Sequence, residues 1–267
     1  MLVCAINGSL RGSHGATHRI LQSVGNGVER AGGTWNLVQL AELKIEGCRA
    51  CNQCQTTNTF KCVFDPHDDT ARVHQEMTQA DLLIYASPVY VFGMSSLLKR
   101  LIERFHCRAP IDEIILTHSG LFFHATDRSL TGKRFVSLVV CDNIEDLTVR
   151  NTADYFRIFA RFMDAPQAGH IERRSAAAWL TALDAADEKE QRRAQQVLTA
   201  FEQAGEELVA KGCISPKTKG EAEQPFVRVP LFVRLARHIP LFRKTIEAEA
   251  RKRAGTVLGR EGKTSSE

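Results

Sequence analysis

A chain of 267 residues, 43% of them hydrophobic, can bury one substantial core with length left over. It contains no run of eighteen apolar residues, which excludes a membrane-spanning helix. The net charge of +4 is uneven: residues 213–267 carry twelve Lys/Arg against six Asp/Glu and leave −2 on the rest, and a body that close to neutral argues against nucleic acid as a partner.

Met1 to Asn7 is too short for a secretory signal and has neither a basic start nor a cleavage site, so a cytoplasmic protein is expected. Residues 2–6 are apolar and stop at Asn7-Gly8, the pattern of a buried parallel strand. Gly8 to Thr17 is a loop of small and hydroxyl residues. A helix follows from about Ala16 to Ala31, with Ile20, Leu21, Val24 and Val28 on one face; Gly32-Gly33 ends it, and Thr34 to Leu40 makes a second strand. Strand, loop, helix, strand is a βαβ unit. Its loop reads as an anion site, because a helix start leaves N–H groups unpaired and carries partial positive charge. Ser9, Ser13 and Thr17 offer hydroxyls around Gly15 and Ala16, and Arg11 can neutralise phosphate. The loop has neither the Gly-Lys-Ser/Thr of a triphosphate site nor the Gly-x-Gly-x-x-Gly dinucleotide pattern. An ordinary polar loop before a capped helix is the competing reading.

The stretch from Gly47 to Asp69 carries Cys48, Cys51, Cys54 and Cys62, spaced Cys-x2-Cys-x2-Cys-x7-Cys, and ends in Asp68-Asp69. Three thiols three residues apart can be aimed at one point, as in the run that ferredoxins use for a cubic iron–sulfur cluster. The fourth cysteine comes later than in that run and is not followed by Pro, so the loop Gln55 to Lys61 has to fold back. Structural zinc favours two separated pairs over a tight triplet. Disulfides do not suit a chain without a secretory signal. Free or redox-active thiols need only two of the four. The spacing favours the cluster and leaves zinc and free thiols open.

Thr70 to Gln79 reads as a helix capped by Asp68 and Asp69, and residues 81–86 as the third strand. Ser87 to Met94 then forms a loop at the carboxyl end of that strand, apolar and aromatic where solvent would want polar residues. In an open α/β sheet ligands bind beyond that edge, and such a loop needs a flat partner to cover it. A helix over Ser95 to Phe105 follows. Residues 107–132 fit no firm element, although Phe122 and Phe123 must pack on something. The fourth strand is Phe135 to Val140, with Cys141-Asp142-Asn143 a third loop at the same edge. A helix over Val149 to Met163, a strand over Gln167 to Ile171 and a long helix over Ala185 to Lys211, closed by Gly212, complete the alternation. Both common doubly wound strand orders fit, and the loop chemistry favours the 2-1-3-4-5 order of flavodoxin.

With these loops in place, residues 1–212 resemble the flavodoxin-like NAD(P)H-dependent FMN reductases, and most of all their iron–sulfur flavoprotein branch. Four matches carry the resemblance: Gly8-Ser9-x-Arg11 with Gly15-x-Thr17; the compact cysteine motif with Asp68-Asp69; Ser87-Pro88-Val89-Tyr90 and Gly93, then Lys99 and Arg104; and Gly132-Lys133 before an apolar strand. The resemblance implies a flavodoxin-like, doubly wound, five-stranded parallel sheet with a cysteine-rich loop insertion. It implies FMN with its phosphate on Ser9, Arg11, Ser13, Gly15, Ala16 and Thr17. Pro88, Val89, Tyr90, Val91, Phe92 and Gly93 would cover the flavin ring, and Cys141, Asp142 and Asn143 would flank it. A [4Fe-4S] cluster would sit on Cys48, Cys51, Cys54 and Cys62. NAD(P)H is the implied donor, a small molecule or a protein the electron partner, and a homodimer or homotetramer the implied assembly. Departures are the missing Pro after Ser9, the long 106–131 insertion and the tail beyond Gly212.

No acid–base pair stands out, and flavin chemistry needs none, so no side chain is assigned a catalytic role. His14 and His18 read as surface residues near the phosphate loop, Cys4 as a small buried hydrophobe, and Cys107 and Cys213 have no partner by spacing. Residues 213–267 form a basic extension in which 226–242 alternate apolar and basic residues between prolines. An arm packing on the body or a second subunit is the favoured reading of it, ahead of peripheral contact with an anionic membrane; beyond Gly255 composition points to disorder. The functions in play are an FMN-dependent electron-transfer enzyme with a cluster, a quinone or FMN reductase whose cysteines are free or hold zinc, and a thiol redox sensor on the same fold.

Overall fold

The computed structural model describes residues 1–56, 61–227 and 229–261. The N-terminal apolar run forms β1 (Leu2–Asn7), and α1 (Ala16–Arg30) carries the chain to β2 (Thr34–Gln39). The cysteine segment contributes α2 (Gln53–Thr56) before α3 (Thr70–Gln79) leads into β3 (Leu82–Tyr90). The chain turns back as β4 (Gly93–Met94) and continues as α4 (Ser96–Glu103) with a 3-10 extension over Arg104–Arg108. An antiparallel hairpin, β5 (Ile114–Leu116) with β6 (Phe122–His124), precedes β7 (Phe135–Val140), α5 (Leu147–Phe162) and β8 (Gln167–Arg173). Three helices, α6 (Ala176–Leu183), α7 (Glu188–Lys211) and α8 (Pro216–Glu223), close the first compact unit, Met1–Gln224. The second, Pro225–Glu267, holds α9 (Leu231–Ala236) and α10 (Pro240–Glu261).

The main sheet has the order β2-β1-β3-β7-β8 with every one of those pairs parallel, the flavodoxin order expected from the loops. Side chains alternate across it. Cys4, Ile6, Leu83, Tyr85, Phe135 and Val139 point into a core shared with α3, α4 and α5, where Tyr85 lies 5.6–5.9 Å from the rings of Phe135, Phe156 and Phe159. On the other face α1 and α7 cross closely. A methyl group at Gly27 would strike the carbonyl oxygen of Glu202, and one at Gly205 that of Val24, so each helix offers the other bare backbone. Gly8 serves the same purpose at the sheet edge: its missing Cβ would lie 2.7 Å from Ser95 Oγ and 2.8 Å from Leu98 Cβ.

Four local expectations change. The third strand does not stop at Ala86 but runs to Tyr90, so the expected loop 87–94 is a β-hairpin. The β1 ladder ends at Ala86, and Pro88, with no N–H to give, falls in that half-open stretch. The unplaced 107–132 segment contains the β5–β6 hairpin, with Ile114, Leu116 and Phe122 exposed. Helix α6 had no signal in the sequence; it is fixed by Trp179, fully buried, whose indole N–H donates to the carbonyl of Ala194. Beyond Gly212, residues 213–224 belong to the first unit: Ser215 caps α8, and the buried Arg173 donates to the carbonyls of Ala222 and Gln224. In the second unit Phe232, Leu235 and Leu241 are exposed, and α10 covers the first part of the segment where composition pointed to disorder. Residues 262–267 lie outside the described residues.

Candidate functional site

Three loops leave the carboxyl edge of the sheet side by side, because β1, β3 and β7 pair with Asn7 opposite Ala86 and Pro88 opposite Val140. In the first, Asn7 is buried and organises the turn. Its Oδ1 accepts the Ser9 N–H at 3.0 Å, and its amide donates to Gln39 at 2.7 Å. Ser9 Oγ accepts the Arg11 N–H at 3.2 Å, and Gly12 takes a left-handed φ of 52° that a side chain would strain. A 3-10 turn over Gly12–His14 delivers the chain to Gly15, the N-cap of α1, and no side chain caps that helix. The first N–H groups of α1 therefore stay available to an anion. Ser9 and Thr17 are buried beside this start, while Arg11 and Ser13 are exposed. His18 instead turns to Gln39, its Nδ1 2.5 Å from the amide.

The second loop is the hairpin tip. Val91 and Phe92 both adopt left-handed backbone, with φ of 46° and 64°, and are 92% and 61% exposed. Two-residue turns of this kind normally hold Asn-Gly, since both central positions need positive φ, and a β-branched residue there is strained. The tip thus spends stability to present two apolar side chains to solvent. Tyr90 is exposed beside them, and Asn151 of α5 donates to the Phe92 carbonyl at 3.2 Å. At the base, Ser87 Oγ accepts the Ser95 N–H, and Ser95 Oγ caps α4. In the third loop Cys141 is buried, and burial raises its thiol to about 11. Asp142 accepts the Ala177 N–H at 2.7 Å and thereby caps α6.

The cysteine segment is a closed loop whose two ends are pinned together. Lys44 and Asp69 exchange hydrogen bonds, the Asp69 carboxylate accepting the Lys44 N–H at 2.9 Å. The Asp68 carboxylate is fully buried and accepts from the N–H groups of Glu46 and Thr70 and from Arg104. Asp68 therefore caps α3 as expected, whereas Asp69 serves the loop base. Cys48, Cys51, Cys54 and Cys62 all line one cavity, together with Phe64, Arg104, His106 and Cys107. Ala50 and Asn52, on either side of Cys51, hold positive φ of 49° and 57°, conformations that turn successive N–H groups inward at anion and iron–sulfur sites. The Ala50 N–H donates to Cys48 Sγ at 3.4 Å, and the Gln55 amide to Cys54 Sγ at 3.7 Å. The Cys54 thiol is held above the usual thiol range by burial first, then by repulsion from Cys62 and Cys48. Residues 57–60, inside the stretch expected to fold back, lie outside the described residues.

A zinc ion requires its sulfurs about 2.3 Å from a single point, whereas a cubic cluster takes each thiolate on a different iron and spreads them. Among the described residues no three His, Cys, Asp or Glu side chains are placed to hold one metal ion. Of the four thiols around the cavity, Cys48 and Cys54 receive N–H···S bonds.

Sequence reasoning counted Arg104 with the helix that follows the Pro88–Gly93 loop and gave His106 and Cys107 no role, yet the end of α4 places all three on the cysteine cavity. One signal was available. Leu97, Leu101 and Phe105 mark the buried face of this helix, and Arg104 follows Leu101 by three and Leu97 by seven, which puts a charge on that face. The cavity and the loop edge lie at opposite ends of α4, roughly 14 Å apart at 1.5 Å per residue.

The strand order and the edge loops define a flavodoxin-like α/β protein. A family model for NADPH-dependent FMN reductase matches residues 1–143, and the chain belongs to that family. Relatives bear out the branch to which the cysteine motif pointed. An iron–sulfur flavoprotein of Methanocaldococcus jannaschii is 33% identical over 104 residues, covering 39% of this chain and 51% of the relative. One of Archaeoglobus fulgidus is 27% identical over 104 residues, covering 39% and 48%. The matched region thus spans about half the length of these relatives. Among solved structures, an FMN-dependent NADH-azoreductase from Bacillus anthracis in complex with FMN superposes with a TM-score of 0.53 at 12% identity, covering 78% of this chain and 98% of that one. An NAD(P)H:quinone oxidoreductase from Methanothermobacter marburgensis gives 0.50 at 16%, covering 78% and 95%. At these identities the structures establish the shared fold.

Proposed function

We propose that the protein is an FMN-dependent oxidoreductase that takes electrons from a reduced donor such as NAD(P)H and passes them by way of FMN to a [4Fe-4S] cluster on Cys48, Cys51, Cys54 and Cys62. The onward acceptor is a small molecule or a protein. FMN, when bound, supplies the exchange between two-electron and one-electron partners. The observation that carries the reading is the uncapped start of α1 standing next to a strained, exposed apolar hairpin at one sheet edge. Ser9, Arg11, Ser13, Thr17 and the N–H groups from Gly15 and Ala16 onward hold the phosphate. The hairpin Pro88–Gly93 would cover the ring and exclude water, and Cys141, Asp142 and Asn143 would flank it. At the cavity the N–H groups of Ala50 and Gln55 orient two of the thiolates.

No disulfide joins any of the eight cysteines, and no described helix is long and apolar enough to cross a membrane. We assign the protein to the cytoplasm as a homodimer or homotetramer. Anaerobic purification with flavin extraction and iron and sulfide analysis tests the reading. About one FMN and four irons per chain are expected. Flavin without iron would leave a quinone or FMN reductase with free or zinc-bound cysteines, and absence of flavin would sink the reading altogether.

A further inference from the structure

Arg104 is an unusual residue to find where it is. Its side chain is 1% exposed, at the end of an otherwise apolar helix face. Nη1 donates to Asp68 at 2.5 Å and to the carbonyl of Glu46 at 3.1 Å, and Nη2 donates to Asp65 at 2.7 Å. These partners flank the cysteines, Glu46 just before Cys48 and Asp65 and Asp68 just after Cys62. One guanidinium thus ties both ends of the loop to α4. The fork is supported from beneath by Phe64, whose ring lies 5.7 Å from Cζ of Arg104 and 4.5 Å from that of Arg49. One donor is left over: Nε is buried and has no hydrogen-bond partner among the described residues. A buried, charged N–H without an acceptor is costly, and native proteins rarely leave one unless something else supplies the acceptor. Arg104 lines the cavity of the four thiols, where the bound group would bring sulfur.

We propose that Arg104 is the positioning residue of the cysteine site, clamping the loop through Asp65, Asp68 and Glu46 and donating its Nε–H to a sulfur of the bound group, which raises that group's reduction potential. The inference rests on the reading that the four cysteines hold a [4Fe-4S] cluster. Its physics is that reduction adds negative charge, and both a hydrogen bond to sulfur and a nearby positive charge stabilise the reduced form. The carboxylate of Asp65 offsets part of that charge, so the two residues pull the potential in opposite directions.

The full chain is reconstituted anaerobically with ferrous iron and sulfide, its iron is counted, and the midpoint is measured by spectropotentiometry with detection by electron paramagnetic resonance. The variants are Arg104→Lys, which keeps the charge but loses Nε and the fork, and Asp65→Asn, a milder change at a less buried partner. With four irons bound, Arg104→Lys is expected to move the midpoint downward, to about a tenfold lower ratio of reduced to oxidised cluster at the wild-type midpoint, or about 59 mV for one electron. Asp65→Asn is expected to move it upward. Opposite shifts are the signature of charge and hydrogen bonding, since mere loosening of the loop would move both variants the same way. Should Arg104→Lys fail to fold, Asp65→Asn still exposes the proposal to refutation, since a midpoint that stays put or falls would show that the guanidinium charge does not act on the bound group. Equal midpoints, or shifts of the same sign, overturn the proposal while the cluster assignment stands. A wild-type chain that takes up no iron overturns both.

Discussion

His74 makes the stability of this protein sensitive to mild acid, in a direction opposite to that of most histidines. It sits on α3, 1% exposed, with its ring 5.2 Å from that of Phe105 and its Nε2 buried without a hydrogen-bond partner among the described residues. Burial, then the positive charges of Arg108 and Arg104, pull its pKa from 6.5 down to about 3; the Leu101 backbone and Asp68 resist only in part. Below pH 6.5 the unfolded chain takes up a proton here that the folded chain refuses, so stability falls as pH falls. One pKa unit corresponds to about 1.4 kcal/mol. The loss therefore comes to about 2 kcal/mol between pH 7 and pH 5 and reaches about 4 kcal/mol near pH 3, where the folded state binds the proton too. The assay is urea unfolding at pH 7, 6 and 5 for wild type and His74→Phe. The variant keeps an aromatic neighbour for Phe105 and is expected to lose about 2 kcal/mol of the wild-type acid slope in this range. An equal slope in both proteins would refute the reasoning, because it would mean that the folded state accepts the proton without penalty.

Other consequences are as direct. Replacing Val91-Phe92 by Asn-Gly relieves two left-handed residues, so thermal stability should rise by about 2 kcal/mol, while FMN affinity, measured by fluorescence quenching, should fall about tenfold or more; unchanged affinity would remove the hairpin from the site. Cys107 lines the cysteine cavity, but its thiol donates to the Arg104 carbonyl at 3.0 Å, and burial pushes it up to about 12. Cys107→Ser should therefore leave iron content unchanged, whereas Cys54→Ser should lose iron; loss in both would make Cys107 a ligand. Gly205→Ala would gain about 1 kcal/mol by helix propensity alone, but the new methyl meets the Val24 carbonyl of α1. A net loss of about 2–3 kcal/mol in urea unfolding is expected, and a gain would show that α1 and α7 are free to separate.

The parallel strands and the helices between them were legible because each is a buried apolar run or a 3.6-residue stripe of usable length. The strand over 135–140 and the helix over 70–79 match residue for residue. The cysteine spacing marked its own site, as thiols have few other reasons to crowd in such a chain. What escaped depended on contacts distant in sequence. Continuation of β3 through Pro88 needs the knowledge that β1 has already ended. Helix α6 is short and nearly all alanine and other apolar residues, so it shows no stripe, and the seat of Trp179 against α7 and the Asp142 cap, both distant in sequence, fix it. The α8 segment looked like a detached basic tail until Arg173, far upstream, was seen to bind its carbonyls.

The same reasoning explains why α4 is the element on which both halves of the site depend. Its first residues pack so tightly against Gly8 that a single methyl there would displace either the phosphate loop or the cap Ser95. Its last residues hold the cysteine loop through a buried ion pair. Breaking such a pair by removing one partner costs about 3–5 kcal/mol, because an uncompensated charge is left inside, and Asp68 at 0% exposure has no water to turn to. A helix with apolar residues along one face and constraints at both ends cannot slide or rotate without a penalty at one of them. The phosphate loop and the cysteine cavity are thus held at a fixed separation by backbone rigidity, and the hairpin and the cysteine loop carry the positive-φ strain at Val91, Phe92, Ala50 and Asn52. Strain of that kind persists only where the surrounding structure over-determines it, and at both places α4 is part of the structure that does so.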